Sequence, residues 1–455
     1  MEQSHWLVTA LGQFGDQVAL ICDGRIHTYS QLLEQVDTWG TELATQRINP
    51  GEVVAFEGDY SFDTIALFLA LVRNRNIAVP LTRTTRKSKA KFLDIARVRA
   101  VFDFHDDGDW EFSRREPSLD PHPLLEELRG AGSPGLVVFT SGSTGEPKGI
   151  AHDFDKALSN VKEKRRPWVA LVFLLMDHLG GINTLMNILR NGGTAVSIPD
   201  RDPEAVCEAI QKYRIQLLPT SPTFLNMLLI STMYEKYDLS SLRLVTYGTE
   251  AMPERTLKAI NEVLPGVSCK QTYGLSEFGV LGTKSRDSGS LWIKVGGGDV
   301  ETRVVDGKLW IRAKSRSMLG YLNAPSPFDK DGWLNTEDEV EVDGDYCRIL
   351  GRTTDIINVG GEKVYPAQVE SVILEMDNIR DVTVTGKRNP VTGHVVMATV
   401  TLFEPEDPVA LKRRIWDHCN GRLSRNQTPL VVKVAEMLEI SNRYKKIRME
   451  TNGDA

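Results

Sequence analysis

Residues 140–148 read TSGSTGEPK, a run of glycines and hydroxyls that ends in a lysine. Those residue types together can hold an anion. Gly142, Gly145 and Gly149 let backbone amides approach a charged oxygen closely, Ser141, Ser143 and Thr144 supply hydroxyl donors, and Lys148 supplies a point charge. The apolar residues 136–139 in front read as a buried strand, which places the loop at a strand end. A flexible surface loop of small residues is the plainer alternative. The pattern is not GxxxxGK[ST]: Lys148 follows Pro147 and precedes Gly149, so the hydroxyl that would bind magnesium beside the lysine is missing.

The elements that must position this loop alternate in type. Apolar runs at 168–176, 194–198, 215–218, 242–246 and 267–272 are separated by segments of helical period at 181–190, 203–213, 221–230 and from about Pro253. Strand and helix in alternation imply a mainly parallel sheet flanked by helices, with ligands at the carboxyl ends of strands, after Phe139, Thr246 and Thr272. From Trp292 the style changes to short strands and turns, with Asp306-Gly307 and Asp343-Gly344 as hairpin signals, which implies an antiparallel, barrel-like part. After Gly351 come a Gly-Gly loop, a helix near 366–376, strands near 382–384 and 395–402 and a helix near 408–419. The expected class is α/β, with a large N-terminal domain over 1–351 and a small α+β domain over 352–455. Residues 113–123 read as a surface loop.

Composition narrows the setting. The 455 residues carry a formal net charge of -7, which disfavours a nucleic-acid partner. Cys22, Cys207, Cys269, Cys347 and Cys419 are scattered, odd in number and form no CxxC pair, so they are expected to be reduced and structural. The longest apolar run, 169–176, is too short to span a bilayer, and the first residues do not read as an export signal. A cytoplasmic protein with no membrane partner is expected.

Downstream of SGSTGEPKG stand QTYGLSEFG at 271–279, DGWLNTED at 331–338, GRTTDIINVGGEKVYP at 351–366 and a lysine-rich tail. In that order they resemble the superfamily of adenylate-forming enzymes: acyl- and aryl-CoA synthetases, peptide-synthetase adenylation domains and firefly luciferase. The resemblance covers essentially the whole chain and implies two steps. A carboxylate attacks the α-phosphate of ATP, giving acyl-AMP and pyrophosphate, and a thiol then takes the acyl group. Two anions must meet in the first step, so charge neutralisation by Mg²⁺ and lysine is the main requirement.

By that resemblance the loop from Thr140 to Lys148 holds the β- and γ-phosphates, and Glu277 recruits Mg²⁺ beside Ser276; a solvated helix-start acid is the plainer alternative for Glu277. Tyr273 would meet adenine or phosphate, or else belong to the core. Gly248, Thr249 and Glu250 would line adenine and wall the acyl pocket, Gly248 being a plain turn otherwise. Asp338 and Arg352 would bind the ribose, with Glu337 where the family usually has glycine. His178 falls at the pocket gate and, with Gly181, Thr223, Thr249 and Leu275, outlines the substrate pocket. Leu179 stands where amino-acid-activating domains place an aspartate, and Asp177, just before the gate, is out of place for it, so a hydrophobic carboxylic acid without an α-ammonium is the expected substrate. Gly360 and Gly361 resemble the glycine turn along which the pantetheine arm of coenzyme A passes, and Thr354 occupies the interdomain hinge. In the tail, IleSerAsnArgTyrLysLysIleArg at 440–448 lacks the usual proline and glycine. Lys446 matches the catalytic lysine best, with Lys445 as the alternative and a solvated basic tail as the plainer one. The implied cofactors are ATP, Mg²⁺ and coenzyme A or phosphopantetheine. Loading of an acyl-carrier protein, and a degenerate nucleotide-binding protein, stay open as other readings.

Overall fold

Alternating apolar and amphipathic segments build two seven-stranded sheets with helices between and around them. The computed structural model describes residues 5–105, 108–141, 146–441 and 443–448. In one sheet Val53–Glu57, Ile77–Leu81, Ala100–Phe104 and Gly135–Ser141 run parallel. Its edges are antiparallel, through Trp110–Arg114 on one side and Pro147–Asp153 followed by Gly320–Tyr321 on the other. In the second, Val18–Cys22, Thr194–Val196, Val169–Leu171, Leu217–Thr220, Leu244–Tyr247 and Ser268–Gln271 run parallel, with Arg25–Thr28 antiparallel at the edge.

One apolar core joins the two sheets: Leu20, Ala170 and Ala195 of one and Val54, Phe56 and Val138 of the other share it with helices Phe62–Arg73 and Leu179–Arg190. Phe62–Arg73 is buried from Thr64 to Val72, as a helix covered on every side must be. Ser61 caps it reciprocally with Thr64.

The antiparallel part is a six-stranded sheet in the order Thr283–Ser285, Trp292–Val295, Tyr346–Arg352, Leu334–Asp343, Lys308–Ala313, Val300–Val305. Asp306 and Gly307 take φ of 51° and 75°, the two left-handed residues that a tight hairpin of this hand needs. Beyond it, Ile357–Val359, Glu362–Val364, Ile379–Asn389, Gly393–Leu402 and Val431–Val434 form a last sheet, packed by helices Pro366–Ile373 and Pro408–Cys419 around its own core from Ile357 to Cys419.

Three details differ from the sequence expectation. The apolar run 169–176 pairs only over Val169–Leu171; its remainder leaves the sheet and carries Asp177 and His178 to the helix that starts at Leu179. The expected surface loop at 113–123 begins later, because Ser113 and Arg114 complete an edge strand. The strands on either side of the expected phosphate loop pair from Gly135↔Asp153 to Ser141↔Pro147, so Thr140, Ser141, Pro147 and Lys148 lie in strands. All five cysteines are free and buried, as expected. Burial pushes the Cys22 and Cys207 thiols up to about 12 and those of Cys347 and Cys419 up to about 11. Among the described residues no helix is long and apolar enough to cross a membrane.

Candidate active site

The hairpin that bears the phosphate loop aims Lys148 at the aromatic face of Tyr321, with Nζ 5.1 Å from the ring centroid. Gly142, Ser143, Thr144 and Gly145 lie outside the described residues, as does the Ser141 side chain. Thr140 is opposite Lys148 in the pairing. The Tyr321 hydroxyl donates to Glu277 Oε1 at 2.6 Å, so one side chain spans the loop lysine and the expected metal carboxylate. The Met318 amide donates to the Glu277 carbonyl at 2.8 Å, fixing the same residue through its backbone. Behind it, buried His152 donates from Nε2 to the Ser276 carbonyl at 2.8 Å. Desolvation pushes this imidazole down to about 4 against that hydrogen bond, so the ring is neutral and Nε2 carries its proton. One carboxylate beside a lysine suits a magnesium ion that takes most of its oxygen ligands from phosphate and water. Among the described residues no cluster of three acid, histidine or cysteine side chains competes for it.

Asp338 and Arg352, expected at the ribose, face each other across adjacent strands, with Arg352 Nε 3.3 Å from Asp338 Oδ1. The Tyr273 hydroxyl donates to the other oxygen, Oδ2. Burial holds the Asp338 carboxyl above its ordinary range although the guanidinium pulls it down. Glu337 adopts φ of 59°, the left-handed backbone for which glycine is suited. Its carboxylate accepts from Lys308 Nζ at 2.8 Å and Asn335 Nδ2 at 2.7 Å, and its amide donates to Asn335 Oδ1, so side-chain bonds hold the strained turn. Tyr273 and Leu275 both lie in the apolar core beside Phe278. That placement makes Tyr273 a support for Asp338 and gives Leu275 a packing role.

The residues expected at adenine and the acyl pocket converge on the end of strand Leu244–Tyr247. A Cβ on Gly248 would lie 2.7 Å from the Thr272 carbonyl oxygen, so this glycine is a close-approach residue rather than a plain turn. Thr249 follows with φ of 75°. Glu250 accepts hydrogen bonds from both the amide and the hydroxyl of Thr223, uniting two residues expected at the pocket. His178 caps helix Leu179–Arg190, its Nδ1 accepting from the Gly180 amide at 3.1 Å. Burial, with Lys445 and Arg443 adding to it, pushes this imidazole down to about 3. Gly181 is a packing glycine, since its Cβ position is already occupied by the carbonyls of Leu174 and Leu175 and the Tyr60 hydroxyl.

The tail corrects the sequence expectation. Lys446, taken there as the pocket lysine, is buried in the C-terminal part, where Nζ meets Asp381 Oδ1 at 3.0 Å, donates to the Val382 carbonyl at 2.6 Å and lies 3.7 Å from Glu370. Both hydrogen bonds of its ammonium are made there. Lys445 instead lines a pocket with Phe173, Leu174, Leu175, His178 and Thr249. Its ammonium makes no hydrogen bond or ion pair with the described residues, and desolvation pushes it down to about 8 although Glu250 opposes the shift. Gly360 and Gly361, at φ of 61° and 91°, form an exposed hairpin turn and are not brought to this pocket. Thr354 is exposed and its hydroxyl donates to Asp355. Tyr321 and His152 escaped sequence reasoning; a tyrosine in MLGYLNAP and a histidine in an apolar strand carry no chemical pattern of their own.

Residues 7–322 match the family described as AMP-binding enzyme, and residues 368–445 match the AMP-binding enzyme C-terminal domain. The chain is 26% identical to the indoleacetate–CoA ligase of Aromatoleum aromaticum, over 94% of this chain and 93% of that protein. It is also 26% identical to the 2-succinylbenzoate–CoA ligase of Bacillus cytotoxicus, over 98% and 97%. Among solved structures it is similar in fold to an anthranilate CoA ligase bound to anthranoyl-AMP, with a TM-score of 0.82, 21% identity and coverage of 98% of this chain and 96% of that one. The paired phosphate-loop strands, the Asp338–Arg352 pair and the family match over most of the chain agree: the protein is an enzyme of the adenylate-forming superfamily, an AMP-binding enzyme whose curated relatives are acid–thiol ligases.

Proposed function

We propose that the protein activates a hydrophobic acyl or aryl carboxylic acid as its adenylate and passes the acyl group to coenzyme A. In the first step a carboxylate oxygen attacks the α-phosphorus of ATP, a new P–O bond forms, and the bond to pyrophosphate breaks. In the second, the sulfur of coenzyme A bonds to the acyl carbon, AMP leaves with the electron pair, and the thiol proton is released. Magnesium would be held by Glu277 and would neutralise phosphate charge. Lys148 would hold the outer phosphates, Asp338 and Arg352 the ribose, and Lys445 the α-phosphate and the incoming carboxylate.

The observation that carries this reading is Lys445: a half-buried ammonium with no hydrogen bond or ion pair among the described residues, lining an apolar pocket beside neutral His178. A cation desolvated without a counterion is costly unless an anion arrives. The side chains beside Lys445, Phe173, Leu174 and Leu175, are apolar and favour a hydrophobic acid; the cavity they enclose with the tail in place is about 20 Å³ and must widen to admit one. Asp177 supports it too, because its carboxylate is buried and already paired through Oδ2 with Thr82 and with the cation Arg443. The test is pyrophosphate release across a panel of carboxylic acids, followed by thioester formation with coenzyme A. Release with hydrophobic acids and capture by coenzyme A are expected. Absence of release with any acid from folded protein would overturn the reading.

A further inference from the structure

We propose that Asp177, Arg443 and Tyr444 form a two-point clasp between the tail and the large N-terminal part that sets Lys445 in the pocket for the adenylation step, an inference that rests on the assignment of Lys445 above. The first point is electrostatic. Asp177 is 4% exposed, and among the described residues its only partners are the Thr82 hydroxyl at 2.9 Å and Arg443 Nη2 at 3.1 Å, with Oδ1 left without one. The N-terminal part therefore builds a buried carboxylate that it compensates with one neutral donor; the matching cation comes from the tail, 266 residues away. Undocking the tail leaves that charge unpaired in a poorly solvated place, so docking is favoured.

The second point is apolar. Tyr444 takes φ of 52°, a conformation unfavourable for a bulky residue. Its ring seats against Phe173 and Phe224 with centroids 5.0 and 5.6 Å apart, and its carbonyl accepts from the Ser221 hydroxyl at 2.6 Å. These contacts compensate the strain, and all of them are made to the N-terminal part.

Lys445 follows at once, and the next residue, Lys446, is anchored the opposite way, to Glu370 and Asp381 of the C-terminal part, with Arg448 on Glu370 at 3.0 Å. The pocket lysine thus hangs between two anchors on different bodies, and both must engage for its ammonium to be placed. Asp177, Arg443 and Tyr444 act through Lys445 and are positioning residues.

The test measures the two half-reactions separately in Asp177→Asn, Arg443→Met, the double variant and Tyr444→Gly, with Lys445→Ala alongside. Expected are a fall in the adenylation kcat of about tenfold or more in each single variant, and conversion of preformed acyl-adenylate and coenzyme A to thioester within about twofold of the parent. The double variant should be no worse than its parents, because one interaction is removed twice, and Arg443→Lys should recover part of the rate. Equal loss of both half-reactions, additive losses, or an unchanged adenylation kcat in Arg443→Met and Tyr444→Gly would overturn the clasp. If Lys445→Ala abolishes adenylation while the clasp variants do not, the clasp alone fails. If Lys445→Ala adenylates normally, the assignment beneath it fails.

Discussion

Two adjacent lysines in the tail should respond to the same substitution in opposite ways. Lys445→Ala removes an ammonium that no described residue pairs. A depression from 10.5 to about 8 corresponds to about 3 kcal/mol of unfavourable burial at neutral pH, so its loss should leave the fold as stable or more so. The adenylation rate should drop by about 10²–10³, the effect of deleting one preorganised charge stabiliser at a reacting centre, or about 3–4 kcal/mol. Lys446→Ala strands Asp381, and leaves Glu370 with Arg448 as its remaining cation, both acids being buried. Breaking such a network by removing one partner costs about 3–5 kcal/mol of stability. Paired measurements of pyrophosphate exchange and of denaturant unfolding separate the cases. Wild-type exchange in Lys445→Ala, or a Lys446→Ala protein of unaltered stability with a selective adenylation defect, would show that the two roles have been exchanged.

The pH dependence follows from the same group. Because Lys445 must carry its charge to meet the α-phosphate, adenylation kcat/KM should fall as pH rises through about 8, and Lys445→Arg should move that limb upward. The stability term has its own sign: a lysine whose folded value lies below its unfolded one costs stability below about pH 8, and that cost fades between about 8 and 10.5. Unfolding measured across this window should show a rise in the parent that Lys445→Ala lacks. Tyr321→Phe keeps the ring under Lys148 but deletes the hydrogen bond to Glu277, so the Mg²⁺ concentration for half-maximal rate should rise about threefold to tenfold with the ATP KM less affected. An unchanged Mg²⁺ requirement would show that Tyr321 does not orient the carboxylate. Gly248→Ala should cost about 1–3 kcal/mol in melting experiments, since its methyl group would press on the Thr272 carbonyl; a neutral effect would show that the strand ends move apart freely.

The order of elements was legible wherever period and punctuation agreed. Helices Pro203–Tyr213 and Pro408–Cys419 begin at a proline and carry apolar residues at helical spacing, and both match the expected bounds. Strand ends were less legible: pairing, not composition, decides where Val169–Leu171 stops. In the candidate site, Lys148, Glu277, Asp338 and Arg352 could be singled out because charged types in fixed order are visible in a string. Their supports could not. Tyr321 and His152 act through single hydrogen bonds to residues 44 and 124 positions away, and nothing local in sequence marks such a pair. The choice between Lys445 and Lys446 turned on which side of a short turn each faces, a one-residue question that a motif lacking its glycine does not answer.

The burial of all five cysteines has a chemical meaning for a catalyst that makes activated acyl groups. An acyl-adenylate or a thioester is attacked fastest by thiolate, and a sulfhydryl held far above neutral pH by its surroundings supplies almost none. The enzyme's own cysteines therefore do not compete with the acceptor thiol for the acyl group. The same silence makes the native chain a clean background for site-specific labelling, in which a single cysteine introduced on the surface would be the one that reacts.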